Sequence, residues 1–142
     1  MHTYPPTLEI LPLAKPVDAV VSVPGSKSIT NRALVLAALG SRSTACRLTG
    51  VLRSEDTEVM VDCLTKLGFE LLWTDDTITM AKNESGRLIP ATSADLYVAN
   101  SGTTIRFLTA MLAAGQGSYR LSGVPRMHER PIRDLLDALR QL

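Results

Sequence analysis

Apolar and polar positions alternate over TLEILPL (7–13) and again over VDAVVSV (17–23), which predicts two strands. Pro24-Gly25 breaks that pattern, and Ser26 is a good helix N-cap. Ile29, Ala33, Leu34, Leu36 and Ala37 follow at helical spacing, and Gly40 stops the helix as a C-cap would. TACRLT (44–49) reads as a strand ended by Gly50. Ser54 caps a second helix whose core face holds Val59, Met60, Leu64 and Leu67, before Gly68. Residues 69–73 and 77–81 flank Asp75-Asp76 as the two arms of a hairpin. NESGRLIPATSA (83–94) is a loop rich in turn formers. A strand at 95–99, a helix from about 102 to 114, a strand at 118–122 and a helix starting at Pro131 complete the reading.

From residue 17 the order is β-α-β-α-β-β, then β-α-β-α, and the letters repeat with it. Leu36-Ala37-Ala38 corresponds to Leu112-Ala113-Ala114, and Leu48-Thr49-Gly50-Val51 to Leu121-Ser122-Gly123-Val124. Arg53 falls opposite Arg126, while Met60, Val61, Leu64 and Leu67 fall opposite Leu135, Leu136, Leu139 and Leu142. The pattern is that of an internally duplicated α/β unit. The second copy stops inside its last helix, at Gln141-Leu142, so the expectation is a chain cut short of its second unit.

Composition narrows the function. The chain has 142 residues, 45% of them hydrophobic, enough for one ordinary core. A net charge of +1, from 15 bases and 14 acids, excludes a polybasic nucleic-acid arm, and 4% aromatics are too few for a base-stacking platform. No apolar run reaches the length of a membrane span, and MHTYPPTLEI has no signal-peptide pattern. Cys46 and Cys63 lie 17 positions apart without a CxxC or nearby histidines, so neither a disulfide framework nor a zinc site is expected, and a reducing cytoplasm is. Of the bases, 11 are Arg and 4 Lys. Arg is the residue suited to carboxylate and phosphate oxygens, although coding bias produces the same excess.

Two strand-to-helix junctions carry the candidate chemistry. In Pro24-Gly25-Ser26-Lys27-Ser28-Ile29-Thr30-Asn31-Arg32, Gly25 permits close backbone approach. Ser26, Lys27 and Ser28 stand at a helix N-terminus, where free N–H groups and the dipole favour an anion by roughly 0.3–1 kcal/mol. Arg32 approaches from the side. The spacing is not that of a Walker A loop, and a merely capped surface helix is the competing account. The second junction, Asn100-Ser101-Gly102-Thr103-Thr104-Ile105-Arg106, occupies the same place in the second copy. A third cluster is Arg126-Met127-His128-Glu129-Arg130-Pro131. There Arg126 is free to reach a carboxylate, Glu129 and Arg130 read as a local ion pair, and His128 has no evident partner.

PGSKSITNRALVLAALG, NSGTTIRFLTA and PRMHERPI, in this order and separation, resemble the N-terminal part of the 5-enolpyruvylshikimate-3-phosphate synthase family over nearly all of residues 10–142. The resemblance implies an α/β (α+β) fold of repeated βαβαββ units, the second one incomplete here. Residues 1–16 would then be a strand pairing with a missing second domain. Residues 17–142 would form part of a substrate-binding domain, with repeat one at 17–82 and incomplete repeat two at 95–142. It implies that Lys27 contacts both substrates, that Ser28 and Arg32 bind shikimate 3-phosphate, and that Asn100, Gly102 and Arg126 line the phosphoenolpyruvate site. The implied reaction transfers an enolpyruvyl group to the 5-hydroxyl of shikimate 3-phosphate, in aromatic amino-acid biosynthesis. It uses neither a metal nor an organic cofactor. The implied protein is a cytoplasmic monomer acting on small molecules, with no nucleic-acid or membrane partner. Its acid/base group would lie in the missing part. Phe107 departs from the proline that many members carry, which puts sensitivity to glyphosate in doubt. The related UDP-N-acetylglucosamine enolpyruvyl transferases carry a reactive cysteine in the loop matching 123–130, which here has none. A non-catalytic half-domain binding a phosphorylated metabolite is the rival from another class.

Overall fold

A computed structural model describes residues 5–142 of the chain. Five helices and five strands follow one another within it: α1 (Lys27–Gly40), β1 (Cys46–Thr49), α2 (Glu55–Lys66), β2 (Leu71–Thr74), β3 (Thr77–Met80), β4 (Ser93–Tyr97), α3 (Gly102–Ala113), β5 (Ser118–Ser122), α4 (Pro125–His128) and α5 (Arg133–Leu139). The strands form two small sheets. One is antiparallel with order β1-β3-β2, and the other is a parallel pair, β4 with β5. In the first, Cys46 faces Met80 and Thr74 faces Thr77; in the second, Ser93 faces Ser118 and Tyr97 faces Ser122. Between them lies one core of Leu34, Met60, Leu64, Leu67, Ile78, Met80, Leu96, Val98 and Leu108, each buried almost completely. The helices α1, α2 and α3 pack on one another across it.

Local chemistry explains most boundaries. The Ser26 hydroxyl accepts from the Ile29 N–H to cap α1, and the Ser101 hydroxyl accepts from the Thr104 N–H to cap α3. Ser54 and Thr57 form a reciprocal box at the start of α2, followed by Glu55, Asp56 and Glu58 in its first turn, as the dipole favours. Gly68 adopts φ +87 and ends α2 in a Schellman turn, with Phe69 N–H donating to the Leu64 carbonyl and Gly68 N–H to that of Thr65. Asp75, at φ +49, turns the β2–β3 hairpin. Gly25 lies so close to the Gly50 carbonyl that a side chain there would overlap it, and the Gly123–Ala99 pair repeats this approach.

Several expectations are corrected. Neither 7–13 nor 17–23 forms a strand; residues 5–26 hold no helix or strand, and Leu8, Ile10, Val20 and Val23 are exposed. A strand needs a neighbour for its N–H and C=O groups, and no described residue pairs with either segment. The part of the N-terminal segment at 1–4 lies outside the described residues. The buried face of α1 is Thr30, Asn31, Leu34, Ala37 and Ala38, whereas Ile29 and Leu36 point outward. Gly40 is the last helical residue and Ser41 the cap. The strand expected at 95–99 starts two residues earlier. The final helix begins at Arg133 instead of Pro131, with the four-residue α4 before it, where Pro125 supplies the fixed φ of a first helical turn.

Candidate functional site

The packing of α1 against α3 sets the two capped N-termini beside one another. Between them opens a cleft of about 580 Å³. Lys27, Ser28 and Arg32 of α1 line one side, and Asn100, Gly102 and Thr103 line the other. Asp56, from the first turn of α2, forms part of the floor, with Arg106, Phe107 and Arg130 completing the lining. Residues from distant parts of the chain thus meet at helix starts, where N–H groups point toward an anion.

The charges in the cleft are unequal: Lys27, Arg32, Arg106 and Arg130 face a single lining carboxylate, Asp56. Lys27 Nζ donates to Asp56 Oδ2 at 2.6 Å. Burial by itself would push the Asp56 carboxyl up. The bond from Lys27, the Ser101 hydroxyl and the charges of Lys27 and Arg130 outweigh it and hold the carboxyl below its ordinary range. Arg32 donates to the Ser28 carbonyl at 2.9 Å and to the Ser28 hydroxyl, and its guanidinium lies 5.4 Å from the centre of the Phe107 ring. Arg106 donates to the Gly102 carbonyl at 3.1 Å and the Pro131 carbonyl at 2.8 Å, which ties α3 to the segment before α5.

Five of the six residues expected to bind substrate, Lys27, Ser28, Arg32, Asn100 and Gly102, line this one cleft. Arg126 does not: it is exposed on α4 and outside the lining. Arg130 takes a place in the cleft instead, and no Glu129–Arg130 ion pair forms among the described residues. His128 lies 3.2 Å from the Gly123 carbonyl, outside the cleft. Asp56 escaped sequence reasoning because its partner Lys27 is 29 positions away; its only local signal is an acid in the first turn of a helix. Among the described residues no group of His, Cys, Asp and Glu gathers as metal ligands would, and no helix is long and apolar enough to cross a membrane.

Comparison with known proteins gives concordant matches. The family model for EPSP synthase (3-phosphoshikimate 1-carboxyvinyltransferase) matches residues 13–142. A 3-phosphoshikimate 1-carboxyvinyltransferase of Nostoc punctiforme is 48% identical over 94% of this chain and 31% of its own length. One from Burkholderia vietnamiensis is 52% identical over 88% of this chain and 28% of its own. Among solved structures, an EPSP synthase from Acinetobacter baumannii superposes with a TM-score of 0.76 at 25% identity, covering 85% of this chain and 27% of that one. The chain therefore spans about 30% of the length of the curated relatives it matches.

Proposed function

Because the chain belongs to the EPSP synthase family, we propose that it supplies one wall of a site for enolpyruvyl transfer. The donor is phosphoenolpyruvate, the acceptor the 5-hydroxyl of shikimate 3-phosphate, and phosphate is released. The observation that carries this reading is the convergence of Lys27, Ser28 and Arg32 with Asn100 and Gly102 around one cationic cleft. Ser28 and Arg32 hold shikimate 3-phosphate, Asn100 and Gly102 face the donor, and Lys27 stands between. Arg130, which lines the cleft where Arg126 does not, faces the donor's anionic groups.

The acceptor hydroxyl loses its proton as its oxygen bonds to the substituted carbon of the donor, while the donor's methylene carbon gains a proton and becomes a methyl group. Elimination then removes a proton from that carbon and expels phosphate. The bond from Lys27 favours the ionised form of Asp56. The family resemblance implies that the acid/base group belongs to the length this chain does not span. Residues 1–16 fit a strand given to a second domain, and 17–142 fit part of the substrate-binding domain. The exposed apolar side chains between Leu8 and Val23 support that placement, as they find no cover among the described residues. The reading carries with it a cytoplasmic, monomeric enzyme that requires no metal or organic cofactor.

The test is phosphate release from shikimate 3-phosphate plus phosphoenolpyruvate. It is run with the chain alone and with the chain joined to the remaining length of the Nostoc relative. Turnover is expected only in the joined protein. Turnover by the chain alone would sink the one-wall assignment. A folded joined protein that bound shikimate 3-phosphate without turnover would favour the non-catalytic binding module.

A further inference from the structure

At the C-terminal ends of α1 and α3, about 20 Å from the cleft by helix rise, lies a separate hollow of about 250 Å³. Its lining includes Arg42, Gly86, Arg87, Gly115 and Gln116. The loop that closes it is fixed from both sides. Asn83 N–H donates to the Ser41 carbonyl at the end of α1, and Asn83 Nδ2 to the Arg87 carbonyl at 2.8 Å. A Cβ on Gly115 would stand 2.7 Å from Ile89 Cγ1, so the bare glycine lets the loop lie against the end of α3.

Two guanidinium groups share this hollow, and no carboxylate lines it. Arg87 Nη2 donates to the Gln116 carbonyl, but Arg87 Nε is buried without a partner. Arg42 is exposed and pairs with no carboxylate among the described residues. The negative ends of two helix dipoles account for cations at this place. They supply no acceptor for the buried Nε, and a buried donor left unsatisfied is costly. An oxyanion seated between the guanidiniums supplies that acceptor and offsets their mutual repulsion.

From this geometry we infer that the hollow is a second anion site, distinct from the cleft, for phosphate or the phosphate group of a small metabolite. Arg87 gives the buried N–H, and Arg42 adds its charge from the open side. Two guanidinium forks match a doubly charged phosphate group better than a single carboxylate. The site needs only residues of this chain and stands whether or not the cleft performs enolpyruvyl transfer.

The experiment titrates the isotope-labelled chain with inorganic phosphate by NMR, with sodium chloride at equal ionic strength as reference. Saturable shifts are expected at the amides of 86–88 and 115–116 and at the Arg87 Nε–H, and chloride should not reproduce them. Arg87→Gln should weaken the affinity read at Gly115 by about tenfold or more. Arg42→Gln, a change on an exposed side chain that leaves the fold intact, should weaken it by about threefold to tenfold. Arg32→Gln, in the cleft, should leave these shifts as they are. Glycerol phosphate separates the two sources: tighter binding than inorganic phosphate assigns the hollow to a phosphate monoester, equal or weaker binding to the free ion. Shifts that never saturate, that chloride reproduces, that survive Arg42→Gln undiminished or that vanish with Arg32→Gln overturn the inference.

Discussion

Replacing Gly25 by Ala is the sharpest probe of how the first junction is built. A Cβ at 25 would stand 3.0 Å from the Leu52 nitrogen and 3.2 Å from the Gly50 carbonyl carbon, with the Gly50 oxygen nearer still. All three are backbone atoms, so no rotamer change relieves the overlap. Comfortable carbon contacts are about 3.5–4.0 Å, so the two segments must separate by on the order of 1 Å. Overpacking of this kind costs about 1–3 kcal/mol, and an immovable backbone puts Gly25→Ala toward the upper end. For a chain of this size that lowers Tm by roughly 5–10 °C. The displaced segment carries Ser26, Lys27 and Ser28, so the strain also reaches the cleft. A shift of about 1 Å in groups that orient substrate costs up to about a hundredfold in turnover. Gly40→Ala is the internal control. It sits at the last position of α1 with nothing within 4 Å of its would-be Cβ, and should stabilise the chain by about 0.5–1 kcal/mol. The assay is urea unfolding of both variants followed by circular dichroism, with turnover in the joined protein. A Gly25→Ala chain as stable as Gly40→Ala would refute the Gly25–Gly50 approach described above.

Asp56→Asn should destabilise the chain by about 0.5–1 kcal/mol near neutral pH, a figure kept small because the Lys27–Asp56 pair is partly exposed. Asp56 has a folded-state pKa below its ordinary 3.8, so its contribution is fully present above that value. It fades as pH falls through the lowered folded-state pKa, and unfolding curves of parent and variant should converge in strong acid; a difference that persisted there would show that the carboxylate charge is not its source. Cys63 is buried in α2, with its Sγ 3.7 Å from the Tyr97 carbonyl, and burial pushes its thiol up to about 11. In the native chain it should resist a neutral-pH thiol reagent that labels it rapidly in denaturant, and fast native labelling would contradict its burial.

The parts of the fold that were legible in the sequence are those fixed by local chemistry. Ser26 and Ser54 announce helices that begin where they stand, and Gly68 announces the end of α2. The strand at 118–122 is found with its expected limits. What was not legible depends on partners distant in the chain. The alternation of 17–23 describes a segment able to pair, yet pairing needs a neighbour, and none is present among the described residues. In α1 the small polar residues Thr30 and Asn31 are buried while Ile29 is not, because that helix faces two others and its orientation follows their packing. The cleft shows the same division. Motifs at helix starts pointed to Lys27 and Gly102, whereas Asp56 and Arg130 entered only through tertiary geometry. Adjacent opposite charges at Glu129-Arg130 suggested an ion pair, but neighbours in sequence need not face each other, and here the guanidinium turns into the cleft.

The walls of the cleft come from separate stretches of chain, α1 with the start of α2 on one side and α3 with Arg130 on the other. Occupancy and folding are therefore thermodynamically linked. An anion bridging the two walls binds only when both helix starts are in place, and it stabilises that assembled state by RT ln(1 + [L]/Kd), about 2.7 kcal/mol at a hundredfold excess over Kd. That free energy is shared by both walls: amide hydrogen exchange should slow together at the first turns of α1 and α3, though 76 positions separate Ser28 from Thr104. Through that linkage, saturation with an anion as simple as phosphate would make the two helix starts a single cooperative unit.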